Sequence, residues 1–428
     1  MALRYHAPRG TSDLVYPESE KVESLVEAAC EACALYGYRR VSTPILESTG
    51  LFRRSIGEET DIVTKEMYTF EDSGGESLTL RPEGTAPVVR AYLEMGLRSQ
   101  GVPQKLYYAG PMFRRERPQA GRFRQFSQVG AEAIGSPDPM LDAEIISLSD
   151  VIFKGLGLQR YTLLLNTVGC RGCRPAYLEE LVTFLGGASG GLCERCRERA
   201  TRNPLRVFDC KEECCRAALQ GAPVILDAVC PECGKHFKTV ISGLESIGVP
   251  FSIDNHLVRG LDYYTRTTFE FKFRDLGAQD TVSAGGRYDY LVEELGGPDT
   301  PAVGFSLGVE RLVMAMDAQG LDPFGHRRLD VFIAGAPGVD RGRLLELLSD
   351  VRSKGVSADT DYMGRGLKAQ LKQANRLEAR LVVIVGPDEL ERGEVVFRDL
   401  DESRQWEVLI GEVPTRVVDF LKGRTTHG

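Results

Sequence analysis

Apolar residues recur at helical spacing from Glu18 to Tyr38, with Val22, Leu25, Val26, Ala29, Cys33 and Tyr36 on one face. Pro17 stands at the start and Gly37 just past the end, which is the usual punctuation of a helix. Arg39–Glu47 is rich in β-formers but broken by Pro44. Proline has no amide to give a central ladder, so this strand is expected at an edge or an interface. Short strands are predicted at Met67–Phe70 and Ser77–Leu80 around a Gly-Gly turn. Longer ones are predicted at Lys105–Phe113 and Phe123–Ala133, on either side of an Arg-rich loop. Helices follow from the pattern at Pro87–Met95 and Asp142–Lys154, and a strand at Thr162–Asn166. Further on come strands Thr268–Arg274, Thr281–Ala284 and Ala302–Ser306, and helices Tyr288–Leu295 and Gly308–Asp317. Many strands broken by tight turns, with few helices between them, predict an antiparallel sheet.

The pattern changes twice. Between about residues 168 and 240 the helical and strand periodicities fade while cysteine and arginine rise, which reads as an inserted module. Gln319–Arg328, with its Gly, Pro and charge, reads as a linker. Beyond it, strands Asp330–Ala334, Val356–Thr360 and Leu381–Val385 alternate with helices Arg341–Lys354 and Leu367–Leu377. That alternation predicts a small α/β domain with a largely parallel sheet over 328–428.

With 428 residues, 42% of them hydrophobic, the chain can bury more than one core. Lys+Arg is 53 and Asp+Glu is 61, a formal charge of −8, which excludes a uniformly basic nucleic-acid binder but not a local basic surface. The longest apolar runs fall far short of the about 18 residues that span a bilayer. The first residues, Met1 to Pro8, lack the basic-then-apolar plan of a secretory signal. A soluble cytosolic protein without membrane partners is expected. There are 11 cysteines. In a cytosol they stay reduced, so paired spacings point to metal or packing before disulfides. Cys30 and Cys33 sit on or beside the buried helix face and read as small core residues.

The densest charge is Met112–Arg124, with Arg114, Arg115, Arg117, Arg122 and Arg124 against Glu116. Guanidinium forks fixed between two strands suit phosphate oxygens; a solvated loop is the other reading. Arg259-Gly-Leu-Asp-Tyr-Tyr264 and Ala284-Gly-Gly-Arg-Tyr-Asp289 join arginine and tyrosine to glycine. The paired glycines permit close approach of a ligand, or merely a turn. Gly304–Arg311 runs from a strand through glycines into a helix start. Its spacing is neither the dinucleotide nor the P-loop pattern.

Together these stretches resemble the class II aminoacyl-tRNA synthetases, and among them the histidyl-tRNA synthetase family. Gly37-Tyr-Arg-Arg-Val-Ser-Thr-Pro44 is similar to the first class II motif, which builds a dimer interface. Phe113-Arg-Arg-Glu116 with Arg122 and Phe126 is similar to the second, and Gly304–Arg311 to the third. The Arg259–Tyr264 and Ala284–Asp289 stretches resemble the two peptides specific to the histidine enzymes. Pro8–Asp13 and Arg81–Ala86 match as well. The resemblance implies an α+β catalytic domain over 1–325 built on an antiparallel sheet of the class II synthetase type. It also implies a C-terminal α/β anticodon-binding domain over 328–428 and a Cys-rich insertion. It implies a homodimer that joins L-histidine to ATP, with Mg²⁺ on the phosphates, and then to tRNA-His. Arg114 and Arg259 would be catalytic, meeting the α-phosphate from two sides. Glu116, Phe126 and Arg311 would hold ATP with Arg114. Glu83, Thr85 and Gln128 would take the amino group of histidine. Glu132 and Tyr264 would read the imidazole, with Tyr263 and Tyr288 in the same pocket. Arg117, Gln119 and Arg122 would meet tRNA, with Gln119 on the extra 5′ guanosine.

Three readings remain open from the residues alone. Arg365, Lys368, Lys372 and Arg376 form one stripe if Leu367–Leu377 is a helix, either tracking phosphates or simply solvated. Paired spacings in the insertion supply two four-thiolate zinc sites from Cys170, Cys173, Cys193, Cys196, Cys210, Cys215, Cys230 and Cys233. There Cys214 competes with Cys215, His236 is an alternative ligand, and plain packing is the other reading. The rival to an enzyme is a synthetase-like regulatory subunit of ATP phosphoribosyltransferase. Such proteins typically lose the Arg259–Tyr264 peptide and the anticodon domain.

Overall fold

A computed structural model describes residues 5–58, 60–325 and 328–425. Met1–Arg4 of the N-terminal reading and His326 and Arg327 of the linker lie outside the described residues. The chain divides into two compact units, Met1–Gly325 and His326–Gly428.

The strands of the first unit are, in chain order, β1 (Arg39–Arg40), β2 (Leu46–Ser48), β3 (Tyr68–Glu71), β4 (Ser77–Leu80), β5 (Gln104–Phe113), β6 (Gln125–Ile134), β7 (Tyr161–Thr167), β8 (Ser252–Ile253), β9 (Thr265–Phe273), β10 (Thr281–Arg287) and β11 (Ala302–Gly308). Eight of them form one sheet in the order β1-β5-β6-β11-β10-β9-β7-β8. Its six inner strands are antiparallel, and only the short edge strands β1 and β8 run parallel to their neighbours. The Arg39–Glu47 stretch divides at Pro44, as its missing amide requires. β1 takes the outer edge of the large sheet, while β2 joins β4 and β3 in a small antiparallel sheet.

Period-two alternation gives the large sheet two different faces. Val129, Ala131 and Ala133 of β6, Val303, Phe305 and Leu307 of β11, and Phe269, Phe271 and Phe273 of β9 are buried in one core. Helices Glu18–Leu35, Pro139–Gly155, Pro231–Ser246 and Val309–Gln319 cover that face, each contributing buried side chains to it. The intervening residues, among them Gln128, Glu132, Glu270, Gly304 and Ser306, point the other way.

Arg287 and Asp142 fasten sheet to helix with no exposure of either side chain. Arg287 also donates to the Ser136 carbonyl (2.9 Å), the Asp138 carbonyl (3.1 Å) and the Asp289 carboxylate (3.2 Å). Asp142 additionally accepts from Thr267 (2.6 Å) and meets His236 Nε2 (2.8 Å). His236 is thereby committed to this network and lies in neither cysteine group among the described residues, so its reading as an alternative zinc ligand fails.

Three further expectations are corrected. The close approach at Gly285 and Gly286 is to neighbouring strands rather than to a ligand. A Cβ on Gly285 would stand 2.1 Å from the Gly304 carbonyl, and one on Gly286 would stand 2.4 Å from that of Thr267. The helix expected over Tyr288–Leu295 is one turn, Leu291–Glu294. Tyr288 stays paired to the sheet, its amide donating to the Ala302 carbonyl (2.8 Å), so the helix starts later. Between about 168 and 240 periodicity does not fade as read. Tyr177, Leu181 and Leu185 bury one stripe of the helix Arg174–Gly187, and shorter helices follow.

In the second unit the strands are β12 (Val331–Gly335), β13 (Ala358–Thr360), β14 (Leu381–Val385), β15 (Glu394–Asp399) and β16 (Gln405–Leu409), in the order β13-β12-β14-β15-β16. β12 is parallel to both neighbours, but β15 and β16 add an antiparallel hairpin, so the sheet is mixed rather than largely parallel. Alternate residues of β12 and β14 feed separate cores on the two faces.

Burial alone would raise the Asp142 carboxyl; Arg287 and His236 outweigh it and hold it below the ordinary aspartate value. A depressed folded value makes this contribution complete above the unfolded value near 4 and lost as pH falls through the folded one. Arg287→Met, which strands the buried carboxylate, should cost about 3–5 kcal/mol in urea unfolding at pH 7. The gap between wild type and variant should narrow as pH falls, first above about pH 4 as the unpaired Asp142 of the variant takes up a proton, then below it as the wild-type contribution is lost.

Candidate active site

On the face of the sheet opposite the helices lies a cavity of about 480 Å³. Its wall includes Glu83, Thr85, Arg114, Glu116, Phe126, Gln128, Arg259, Tyr263, Tyr264, Tyr288 and Arg311. Residues from sequence positions as far apart as Glu83 and Arg311 meet because β6, β11, β10 and β9 are adjacent.

One end is polar and deeply buried. Glu83 caps the helix Thr85–Glu94, its oxygens accepting from the amides of Thr85 (2.7 Å) and Ala86 (2.9 Å). Glu132 has no solvent exposure. It accepts from the Thr85 hydroxyl (2.7 Å) and the Tyr288 hydroxyl (2.5 Å), and burial pushes its carboxyl up to about 8. Glu132 pairs across the strands with Gly304. A Cβ on Gly304 would fall 1.6 Å from Glu132 Oε2, so only glycine leaves room for this carboxylate. Tyr263 packs against Tyr264 (centroids 4.8 Å) and edge-on to Tyr288 (5.7 Å). Gln128 donates to Ser306 (3.4 Å).

The other end is cationic. Arg114 donates to the Pro82 carbonyl (2.9 Å) and lies 5.3 Å from the Phe126 ring centroid. Arg122 pairs with the buried Glu116, and Arg114 stands 3.9 Å from the same carboxylate. Arg311 donates to the carbonyls of Gly121 (3.0 Å) and Thr281 (2.8 Å). Burial, then the neighbouring charges of Arg122 and Arg114, lower the Arg311 value. Arg259 pairs with Glu270 and sits over the Tyr264 ring (5.7 Å); burial opposes its charge, but Glu270 outweighs that and raises its value. Guanidinium groups held together against their own repulsion suit a polyanion.

A family model described as histidyl-tRNA synthetase matches residues 10–172 and 215–312, and one described as anticodon binding domain matches residues 339–420. A curated histidine--tRNA ligase from Desulforudis audaxviator is 51% identical over 97% of this chain and 99% of its own. One from Desulforamulus reducens is 49% identical over 98% and 99%. The chain belongs to the histidyl-tRNA synthetase family. Among solved structures, apo histidyl-tRNA synthetase from S. aureus is 35% identical with a TM-score of 0.82, covering 96% of this chain and 99% of that one.

Nearly all the residues singled out from the histidyl-tRNA synthetase motifs meet in the cavity wall, with two differences. Glu132 lies beneath the wall, behind Thr85 and Tyr288, rather than on it. Of the three residues expected beside tRNA, Arg122 lines the cavity against Glu116, while Arg117 and Gln119 are exposed on the connecting loop. Sequence reasoning missed Glu270, although the alternation Phe269, Phe271, Phe273 puts it on the site face. It also missed Tyr108, whose ring fills the spaces beside Gly84 and Gly130, 2.2 and 2.4 Å from where a Cβ would stand. Asp209 and Lys211 of the inserted module line the cavity too.

That module gathers its cysteines into two nested groups, Cys170, Cys173, Cys230, Cys233 and Cys193, Cys196, Cys210, Cys215, with the sulfurs of each within 4.8 Å of one another. Cys215 is buried and belongs; Cys214 is exposed and does not. The Sγ separations of 3.5 Å for Cys170–Cys173 and 3.9 Å for Cys193–Cys210 bracket the about 3.8 Å edge of a tetrahedral zinc–thiolate site. The amides of Cys230 and Cys193 donate to the sulfurs of Cys173 (3.1 Å) and Cys215 (3.2 Å), an arrangement that favours thiolate. Cys33 is fully buried in the helix core and Cys30 half-buried beside it. In the second unit Lys368, Lys372 and Arg376 are exposed on the helix Leu367–Arg376, while Arg365 precedes it and pairs with Asp361 (2.6 Å).

Gly304→Ala should displace Glu132 while leaving the arginines alone. The histidine KM should rise about 100-fold with the ATP KM little changed, as steady-state kinetics would read.

Proposed function

We propose that this chain activates L-histidine with ATP to histidyl-adenylate and passes the histidyl group to the 3′ end of tRNA-His. The observation carrying the reading is one cavity with a buried carboxyl–tyrosine end beside a guanidinium end. The nucleophile is the histidine carboxylate, already ionised, so the chemistry needs positioning and charge neutralisation rather than a general base. Arg114 and Arg259 hold the α-phosphate from two sides, where negative charge grows in the transition state. Glu116, Arg122 and Arg311 frame the ATP, with adenine on the Phe126 ring. Mg²⁺ brought in with ATP would supply further neutralisation of phosphate charge.

Glu83, Thr85 and Gln128 take the α-amino group. Tyr264 donates to one imidazole nitrogen, and Glu132 accepts from the other once histidine displaces the Tyr288 hydroxyl. A site that satisfies both ring nitrogens rejects apolar side chains strongly, by about 10⁴-fold in comparable polar pockets. Exposed Arg117 and Gln119 meet the acceptor end of the tRNA, and Lys368, Lys372 and Arg376 track phosphates elsewhere on it. The edge strand β1 and the residues around it serve a homodimer interface. Each cysteine group would hold one structural zinc, whose binding would add folding energy to the module. Paired cysteines read as metal ligands rather than disulfides suit a cytosolic enzyme. Among the described residues no helix is long and apolar enough to cross a membrane.

The regulatory-subunit reading is the weaker one, because the Arg259–Tyr264 peptide is present and lines the cavity. Histidine-dependent ATP–pyrophosphate exchange decides between the two readings; no exchange at any Mg²⁺ concentration would rule out the enzyme. Arg259→Ala should lower exchange by about 100-fold or more while the protein still melts cooperatively. Elemental analysis of protein purified without chelator should give two zinc per chain. A clearly lower ratio in replete preparations would reject the two-site assignment.

A further inference from the structure

Arg259 stands on a loop, Val258–Asp262, without regular secondary structure. Glu270 holds its guanidinium, so the backbone beneath it is what other contacts must fix. The catalytic body grips one end of this loop. The Asp262 amide donates to the Ile56 carbonyl (3.2 Å), and the Asp262 carboxylate occupies the space beside Gly57. The inserted module grips the rest. The Arg206 guanidinium lies where a side chain on Gly260 would be, 2.7 Å from its Cβ position. Only 14% exposed, it pairs with Asp209 (3.0 Å) in its own module and reaches Asp61 (3.6 Å) of the catalytic body. Arg199 pairs with the same Asp61 (3.0 Å) and donates to the Arg206 carbonyl (3.3 Å). Asn203 donates to Asp262 (3.3 Å), and Phe208 stacks on His256 (4.9 Å) just upstream.

The segment making these contacts runs between two members of one cysteine group, Cys196 and Cys210. Just beyond Arg206, Asp209 and Lys211 line the cavity that Arg259 lines. We infer that Arg206 is a positioning residue for adenylate formation, acting through the backbone at Gly260 to set where the Arg259 guanidinium stands, with the Cys193–Cys215 group holding Arg206 in place. The inference rests on the reading of Arg259 as an α-phosphate contact. It gives the inserted module a part in the first, tRNA-independent step. A fixed ion-paired fork, packed against a glycine that leaves it space, transmits position better than a flexible ammonium would.

The test is histidine-dependent ATP–pyrophosphate exchange by Arg206→Ala, Arg206→Lys, Gly260→Ala and the Arg206→Ala/Gly260→Ala pair. Zinc content and thermal melting are measured on each protein. Arg206→Ala should lower kcat about 30- to 100-fold with the histidine KM within about twofold, since a shift near 1 Å at a reacting group costs about that much. Zinc content should stay at the wild-type ratio, and Arg206→Lys should recover little. Gly260→Ala, which pushes a Cβ into the guanidinium, should lower kcat about tenfold alone and add nothing in the Arg206→Ala background. Stripping zinc from wild type should bring kcat to the Arg206→Ala level, and stripping the variant should lower it no further.

A kcat within twofold of wild type in folded Arg206→Ala, a loss confined to the histidine KM, or additive losses in the pair would overturn the inference. If Arg206→Ala does not fold, Gly260→Ala decides, and unchanged kcat in that variant overturns it. Arg259→Ala runs alongside. Collapse there with normal Arg206→Ala defeats only the positioning role, whereas normal exchange in Arg259→Ala defeats the α-phosphate reading and this inference with it.

Discussion

A full positive charge sits at Arg287 with no solvent access, and much of the first unit is arranged to make that tolerable. Burying a guanidinium and a carboxylate costs several kcal/mol per ion, recovered only when both are fully hydrogen-bonded. Arg287 achieves this with Asp142, Asp289 and the carbonyls of Ser136 and Asp138. Asp142 in turn engages Thr267 of β9 and His236 of the helix that ends the inserted module. One ion pair therefore ties β10 to β9, to the helix Pro139–Gly155 and to the helix Pro231–Ser246. The next residue, Tyr288, is delivered to the cavity with its hydroxyl on Glu132. The glycines before Arg287 let neighbouring strands come close enough for this. The stretch Ala284–Asp289 works as structure before it works as recognition.

The same economy runs through the sheet. Alternation sends one side chain into the apolar core and the next into the cavity, so rigidity at the site comes from the packing behind it. Glu132 is held between two hydroxyls in the space left by Gly304, and its raised value follows from burial. At the opposite end burial lowers the values of Arg114, Arg122 and Arg311, helped at Arg122 by the charge of Arg114 and at Arg311 by both neighbours, and Glu116 and backbone carbonyls restrain them. A net charge of −8 is no obstacle to phosphate chemistry, because the field that matters is local.

Most regular elements were legible because they obey one period for their whole length, as in the helix Glu18–Leu35 or the strands β5 and β6. What was not legible depended on contacts distant in sequence. Tyr108 looks like an ordinary core residue until Gly84 and Gly130 are seen to leave space for its ring. Glu132 could be picked out, but not that Thr85 and Tyr288 would cover it. Arg122 belongs to a basic loop whose sequence does not say which arginines fold inward; Glu116 decides that. The inserted module misled because its helices are short and its buried stripe, Tyr177, Leu181 and Leu185, is diluted by arginine and cysteine. The hairpin β15–β16 went unread because its outer strand is largely exposed and lacks a continuous apolar run.

Cysteine spacing announced pairs but could not say which pairs combine. The nesting answers that and has a mechanical sense. Cys170 follows β7 as the chain leaves the catalytic sheet, and Cys230 and Cys233 open the helix that brings it back against the helix Pro139–Gly155. The outer group therefore closes the neck of the module. The inner group closes the loop within it that carries Arg206. The histidyl-tRNA synthetase family model skips residues 173–214, which hold three of the four inner cysteines and the Arg199–Lys211 segment. The part of the chain that the family model does not match thus packs against Gly260, next to Arg259. A module attached only at its neck could vary freely without touching the chemistry. One that is fastened a second time at Asp61, Gly260 and Asp262 is coupled to it.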